Sequence, residues 1–458
     1  MIIQQIYTKC LAQASYYIES EGLAVIVDPI RDIDCYLEIA SERKAKIIYV
    51  FITHFHADFV SGHLELARKT GCIIVFGPSA KPNYPALVTK DRQCLSVGKC
   101  EIKVLHTPGH TIESTCFLLY DENKKPHAVF TGDTLFVGDT GRPDLLSGNL
   151  NAKELASMLY DSIQIKIKSL PDEVIVYPGH GAGSACGKNL GKETQSTIGE
   201  QKRTNYALKL SKEEFIAIVT TDQPLAPAYF FKDAQINMNG YESLDNILQR
   251  SLKDLSAKNF KTEMDAGAIV VDTRAAIVFG QKFVKGAINI GLDGQYAIWA
   301  GSLIDFNHPL VLIANEGDEK ESLVRLARIG YENIRGYLKG GIDAWEIANG
   351  ETDSIKSATI NELKSSSVSH LYNLLDVRKK SEVEKERLTG SFYIPLEELN
   401  NRMEELDKSK RYAIYCAGGY RSMIAASLLK KNGFEHILNI EGGINQVKNT
   451  SPELILHT

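Results

Sequence analysis

The feature that most limits how this chain can fold is an internal repeat in its second half. Val270-Val271-Asp272-Thr273-Arg274 matches Leu374-Leu375-Asp376-Val377-Arg378, 104 residues further on. Gly286-Ala287-Ile288-Asn289-Ile290 resembles Gly390-Ser391-Phe392-Tyr393-Ile394. Gly330-Tyr331-Glu332-Asn333-Ile334 matches Gly433-Phe434-Glu435-His436-Ile437 at an offset of 103, and Leu338-Lys339-Gly340-Gly341-Ile342 matches Ile440-Glu441-Gly442-Gly443-Ile444 at 102. Four ordered matches at nearly constant offset mean two copies of one unit. A unit of about 100 residues is a full domain rather than a solenoid repeat. The 458 residues therefore divide into 1–245, 255–350 and 358–458. The polar, glycine-containing stretch from Gly350 to Lys356 is expected to link the copies.

The first region alternates short β-branched runs with glycine-containing turns. Leu23 to Val27, Ile47 to Ile52, Ile73 to Phe76 and Val174 to Tyr177 read as strands. Leu64 to Thr70 and Ala152 to Ser169 read as helices, which makes the class α/β throughout. A net charge of -5 without a long basic run argues against nucleic acid as a partner. No apolar run approaches the length of a membrane span. The first residues, MIIQQIYTKC, lack the charged and apolar segments of a signal peptide, so none is expected. Eight scattered cysteines without a C-x-x-C pair suggest reduced thiols and a cytoplasmic location.

Chemistry gathers at the ends of the strands. Thr53-His54-Phe55-His56-Ala57-Asp58, Thr107-Pro108-Gly109-His110, Thr131-Gly132-Asp133-Thr134 and Tyr177-Pro178-Gly179-His180 each close a strand and open a turn. Imidazole and carboxylate are the usual ligands of zinc and iron. One such histidine is usually a hydrogen-bonded structural residue; the whole set points to metal.

This set resembles the metallo-β-lactamase fold family, and the resemblance covers roughly the first half of the chain. It implies an αββα sandwich with a metal at one edge of its two sheets. Hydrolytic dinuclear members commonly read H-x-H-x-D-H, with the last histidine on a second metal. Phe59 stands at that position and cannot ligate, so one metal is expected. Within the superfamily the chain is most similar to persulfide dioxygenases. That resemblance implies one Fe(II) held by His54, His110 and Asp133, leaving open positions for a persulfide and O₂. It places His56, Asp58, Tyr177 and His180 around those ligands. Arg142, in a G-R motif, either steers an anionic persulfide or forms a structural salt bridge. Cys186 either holds a persulfide near the metal or is inert packing. Lys202 and Arg203 either line the substrate mouth or face solvent.

In the last copy, the apolar run Ala413-Ile414-Tyr415 leads into Cys416-Ala417-Gly418-Gly419-Tyr420-Arg421 and then a helix-like stretch to Lys431. A cysteine at a helix N-terminus faces backbone N–H groups and the positive end of the dipole, which favours thiolate. This loop resembles the rhodanese active site, as do the D-x-R and G-G-I signatures of both copies. The resemblance implies a parallel-sheet domain in which Cys416 cycles through a persulfide and Arg421 attracts an anionic sulfur donor or acceptor. The matching stretch of the middle copy, Ile313-Ala314-Asn315-Glu316-Gly317-Asp318-Glu319, has no thiol and no arginine. It is acidic and would repel such anions, so that copy is expected to be non-catalytic.

The whole is similar to a persulfide dioxygenase–rhodanese fusion. The resemblance implies a low-molecular-weight thiol persulfide and O₂ as substrates, sulfite or thiosulfate as products, and self-association into a homo-oligomer. Two rivals stand beside it. One is a mononuclear zinc hydrolase of thioesterase type joined to a sulfurtransferase. The other is a sulfur-carrier scaffold that is not an enzyme at its first site.

Overall fold

The β-branched runs of the first half form strands at Leu23–Val27, Lys46–Ile52, Ile73–Phe76 and Ile175–Pro178. The computed structural model describes residues 1–144, 150–221, 223, 226–365 and 369–457. These divide into two units, Met1–Asn246 with Ala327–Gly330, and Ile247–Leu326 with Tyr331–Thr458.

Among the described residues, the first unit holds two six-stranded sheets. One takes its strands in chain order from Ile2–Thr8 to Leu87–Val88. The other runs edge to edge in reverse order, from Ser196–Thr197 to Cys94–Val97. Tyr16, Val25, Val27, Phe51 and Val75 from the first sheet meet Val104, Phe117, Leu119 and Phe130 from the second in a shared core. The opposite faces are covered as well. His63–Thr70 packs on the strands Lys46–Ile52 and Ile73–Phe76. Ala152–Ser162 buries Leu155, Ala156 and Leu159 against Leu118, Val129 and Val176. Helix, sheet, sheet, helix is the expected αββα order. With both faces of the central strands covered, neighbours such as Tyr16 and Tyr17 are both buried.

The Ala152 helix starts at a capping box between Asn151 and Glu154. It does not run regularly to Ser169. From Ile163 to Ile167 it widens into a π-turn, which keeps both of those isoleucines buried in the outer core.

The second unit holds the duplicated domain. Each copy has a five-stranded, all-parallel sheet with the same strand order. In the first copy the order is Asp254–Leu255, Ile334–Leu338, Leu310–Ile313, Ile269–Asp272, Ile288–Asn289. In the second it is Lys356–Ala358, Ile437–Ile440, Arg411–Tyr415, Tyr372–Asp376, Phe392–Tyr393. The D-x-R signature is a buried ion pair in both. Arg274 Nη2 donates to Asp272 at 2.6 Å and to the Lys282 carbonyl at 2.9 Å; Arg378 Nη2 donates to Asp376 at 2.7 Å and to the Glu386 carbonyl at 2.7 Å. A planar guanidinium can serve both partners at once.

The stretch Gly350 to Lys356, between the two copies, is paired along part of its length. Thr352–Asp353 pairs with Phe283–Val284, and Lys356 begins the edge strand of the next sheet. Trp345 Nε1 donates to the Glu351 carbonyl at 3.0 Å, and the Ile355 amide donates to the Gly280 carbonyl at 2.9 Å. Its polar composition concealed backbone groups that a two-stranded ribbon satisfies. Among the described residues, no helix is long and apolar enough to cross a membrane.

Candidate metal centre and sulfur-transfer loop

The first sheet ends Lys46–Ile52 just before Thr53-His54, and the second ends Pro126–Gly132 at Asp133 and Ile175–Pro178 just before Gly179-His180. His110 lies in the turn after Cys100–His106. Strand ends thus deliver four separated motifs to one place. One ligand atom each from His54, His110 and Asp133 lies within 4.8 Å of the others, and all three residues are buried. His110 Nε2 is 3.5 Å and His54 Nε2 is 4.0 Å from Asp133 Oδ2. Glycines make the room. A Cβ on Gly141 would fall 2.2 Å from the Asp133 carbonyl, and one on Gly179 would fall 2.7 Å from Asp133 Oδ1.

The outer nitrogens are fixed so that the inner ones face the cluster. Thr53 Oγ1 donates to Asp28 Oδ2 at 2.8 Å, so it accepts from His54 Nδ1 at 2.9 Å. His110 Nδ1 donates to the Arg142 carbonyl at 2.8 Å. Each arrangement leaves Nε2 as a lone-pair donor. Burial, then the neighbouring imidazoles of His56, His110 and His180, hold His54 well below the usual imidazole pKa, hence neutral. Both Asp133 oxygens are buried without a hydrogen-bond partner in the chain. Leaving a carboxylate so exposed to low dielectric is unfavourable unless a cation joins it. The donor set therefore fits a single Fe(II) or Zn(II).

His56 is tied elsewhere. Its Nε2 lies 3.0 Å from Asp28 Oδ1. Burial opposes its charge, but Asp28 and then Asp58 raise it above the ordinary imidazole value. Phe59 is buried and lies against the His56 ring, with centroids 4.3 Å apart. Asp28 and Asn237 escaped the sequence reading. Asp28 also accepts from the Thr53 amide at 2.9 Å, and Asn237 Nδ2 donates to the carbonyls of His56 and Phe59 at 2.8 and 2.7 Å. The Asp28-Pro29 step directly after a strand was the available signal for the first; nothing local marks the second.

Asp58, His180 and Cys186 form a second buried group whose donor atoms lie within 4.8 Å of one another. His180 Nδ1 donates to the Ala12 carbonyl at 3.2 Å, and its Nε2 is 3.3 Å from Asp58 and 3.6 Å from Asp133. Burial, then Asp58 and Asp133, push the Cys186 thiol well above its usual pKa. Tyr177 belongs to the sandwich core, stacked on Phe130 at 5.3 Å. Arg142 is buried and forms a two-point ion pair with Asp144 at 2.7 and 2.7 Å. Lys202 pairs with Asp172 at 2.6 Å, and Arg203 pairs with Glu200.

Cys416 follows the strand Arg411–Tyr415 and precedes the helix Tyr420–Lys431. Its Sγ accepts from the Gly419 amide at 3.1 Å, a contact made possible by the positive φ of 108° at Gly419. The G-G-I motif holds the loop from the other side. The Ile444 amide donates to the Cys416 carbonyl at 2.9 Å and the Asn445 amide to the Ala417 carbonyl at 3.1 Å. A cavity of about 270 Å³ opens beside Ala417, lined also by Arg378, Glu382, Lys385 and Lys448. Arg421 donates to both Glu382 oxygens, at 2.6 and 2.9 Å. Its charge is therefore shared with a carboxylate that the sequence reading missed.

A buried His/His/Asp centre at the edge of an αββα sandwich, and a cysteine loop at the head of a parallel-sheet helix, define a metal-binding fold followed by a duplicated α/β domain. Residues 8–180 match the metallo-beta-lactamase superfamily, and residues 256–348 and 359–450 each match the rhodanese-like domain. The chain belongs to the metallo-beta-lactamase superfamily, with two rhodanese-like domains following that fold. It is 34% identical to a probable hydroxyacylglutathione hydrolase of Schizosaccharomyces pombe over 45% of this chain and 86% of that one. Among solved structures, it is similar to a metallo-beta-lactamase from Staphylococcus aureus, at 34% identity and a TM-score of 0.66 over 74% of this chain and 98% of that one. ETHE1 from Myxococcus xanthus shares 32% identity at a TM-score of 0.46, over 52% of this chain and 98% of that one.

Proposed function

We propose that this chain is a persulfide dioxygenase coupled to a sulfurtransferase. The observation that carries the reading is the donor set: two imidazoles and one carboxylate without a hydrogen-bond partner, with Phe59 packed where a dinuclear hydrolase commonly has a histidine. His54, His110 and Asp133 would hold Fe(II), which supplies O₂ activation and a template for the terminal sulfur when bound. His110 is oriented by the Arg142 carbonyl, and His54 by Thr53 and Asp28. Asp58, His180 and Cys186 would supply a buried carboxyl, an imidazole and a thiol next to that centre, His180 Nε2 lying 3.6 Å from Asp133. The balanced reaction is R-S-SH + O₂ + H₂O → R-SH + H₂SO₃; the sulfane sulfur loses four electrons and dioxygen gains them.

At the last domain, Cys416 thiolate attacks the outer sulfur of a second R-S-SH; the donor's S–S bond breaks, R-SH leaves and Cys416 becomes a persulfide, with the Gly419 amide at the nucleophile. Sulfite then attacks the outer sulfur, the S–S bond breaks, and thiosulfate leaves with Cys416 restored as thiolate. The reverse transfer uses the same residues. Oxygen uptake by iron-loaded protein given glutathione persulfide, with sulfite and thiosulfate quantified, tests the scheme. Asp133→Ala is expected to abolish uptake and iron binding, with one iron per chain bound by the unaltered protein. Cys416→Ser is expected to keep uptake and accumulate sulfite. The names of the curated relatives favour a second reading, hydrolysis of a glutathione thioester. Zinc-loaded protein that hydrolyses hydroxyacylglutathione, with no oxygen uptake in the iron form, would establish that reading instead.

A further inference from the structure

The helix that begins at the cysteine loop is unusual in being buried all round. Every residue from Ser422 to Leu429 is buried. Its own sheet covers one side. The Cys-less copy covers the other, through Tyr420, Met423 and Ser427, which share one face at i, i+3 and i+7. Tyr420 Oη donates to the Gly291 carbonyl at 2.8 Å. Its ring fills the place of the absent side chain at Gly294, where a Cβ would fall 2.3 Å from the ring. Met423 reaches Gly280, where a Cβ would lie 3.0 Å from its terminal methyl. Ser427 Oγ accepts from the amide of Asn289, on the edge strand Ile288–Asn289, at 3.0 Å. The loop that receives Tyr420 is itself braced, since Arg325 Nη1 donates to the Leu292 carbonyl at 2.7 Å.

At the same register, 102 residues earlier, the Cys-less copy carries Asp318 just before its helix and Glu321 and Arg325 within it. That face is charged where the other is Tyr, Met and Ser. The docking is therefore one-sided: the catalytic helix is shaped to be held, and the Cys-less copy to hold it.

We propose that the Cys-less copy is a positioning part of the sulfur-transfer site. It fixes the helix whose first turn aims the Gly419 amide at Cys416 Sγ, and Tyr420 is the positioning residue. The proposal rests on the sulfur-transfer reading of Cys416. Residue 420 adjoins the loop directly, so a shift at its anchor passes to Gly419 without an intervening flexible segment. The middle domain, inert in its own right, then has a defined task.

Gly294→Ala and Tyr420→Phe in the full chain test it. Two quantities are measured: transfer of sulfur from thiosulfate to cyanide, and the pH dependence of Cys416 alkylation by iodoacetamide, read on the Cys416 peptide by mass spectrometry. Gly294→Ala forces the ring out and is expected to lower kcat about tenfold with KM changed less than about twofold, and to move the alkylation midpoint upward. Tyr420→Phe keeps the ring, loses one hydrogen bond, and is expected to lower kcat about threefold in the same pattern. Melting temperature is followed in parallel. Folded variants with unaltered transfer and an unaltered alkylation midpoint overturn the proposal; if Gly294→Ala does not fold, Tyr420→Phe decides it. A wild-type chain that transfers no sulfur would remove the sulfur-transfer reading instead, while the alkylation midpoints would still report whether the anchor acts on Cys416.

Discussion

The two rhodanese-like copies share a strand order and differ in the loop that carries Cys416 in the last copy. In the last copy the amide of Gly419, held at a φ of 108°, donates to Cys416 Sγ at 3.1 Å. In the middle copy the matching amide is that of Gly317, at a φ of 93°, and it donates to Glu319 Oε2 at 2.8 Å. Glu319 occupies the register of Arg421, 102 residues earlier. The same anion-seeking turn thus holds a sulfur in one copy and a built-in carboxylate in the other. Without a cysteine, the backbone amide of Gly317 needs another acceptor, and the acidic loop supplies one. The acidity that repels sulfur anions is also what stabilises the vacant turn.

The G-G-I motifs diverge in the same way. Gly443 lies against the nucleophile loop, and a Cβ there would fall 2.3 Å from the Cys416 carbonyl. Its counterpart Gly341 has open space, with nothing within 4 Å. Both have positive φ, 54° and 58°. The glycine of the middle copy serves its turn alone; that of the last copy serves the turn and the loop. Gly443→Ala is therefore expected to have the largest effect, adding a clash to backbone strain, with about 3 kcal/mol lost in urea unfolding and sulfur transfer abolished. Gly341→Ala meets only the strain and should lose about 1 kcal/mol, with transfer within about twofold of wild type. Equal losses in the two variants would break the comparison.

The second expectation asks whether the middle turn is silenced by its carboxylate or by the missing thiol alone. In a Cys416→Ser background, Ala314→Cys should give a thiol that alkylates slowly at neutral pH, because Glu319 holds the Gly317 amide. Adding Glu319→Arg frees that amide and exchanges a negative charge for a positive one. The alkylation rate at pH 7 should rise about tenfold. No change would mean that the turn, and not its occupant, has diverged.

Much of this was legible in the sequence because it is periodic or local. The repeat fixed the duplication, the strand-like runs fixed the α/β class, and four strand-end motifs assembled around His54, His110 and Asp133. What stayed hidden depends on long-range partners. Glu382, 39 residues before Arg421, neutralises a charge that the loop motif presents as free. Asn237 reaches His56 and Phe59 across 181 and 178 residues. Within the linking stretch Gly350 to Lys356, the pairing of Thr352–Asp353 with Phe283–Val284 was hidden because it leaves no apolar pattern in so short a segment. The anchoring of Tyr420 was hidden as well, since its receptor, Gly291 to Gly294, lies in the other copy.

The smallest expected effect separates the copies by pH. The Arg421–Glu382 pair has no counterpart in the middle copy, where Glu319 stands at the register of Arg421 and Val278 at that of Glu382. Burial raises the pKa of Glu382, but the Arg421 guanidinium overcomes it and holds the carboxyl below its ordinary value of 4.5. A folded-state pKa below the unfolded one contributes stability above the unfolded value and loses it as pH falls through the folded value. Acid should therefore weaken the last copy through this pair and spare the middle copy. In urea unfolding followed from pH 7 to pH 3, Glu382→Gln should be less stable than wild type at pH 7, and the gap should narrow as pH falls through the lowered folded-state value. Because the pair is partly exposed, high salt should narrow the gap at pH 7 as well. A gap that persists unchanged at pH 3 would mean that Glu382 acts through packing rather than charge, and the electrostatic distinction between the two copies would then rest on Glu319 alone.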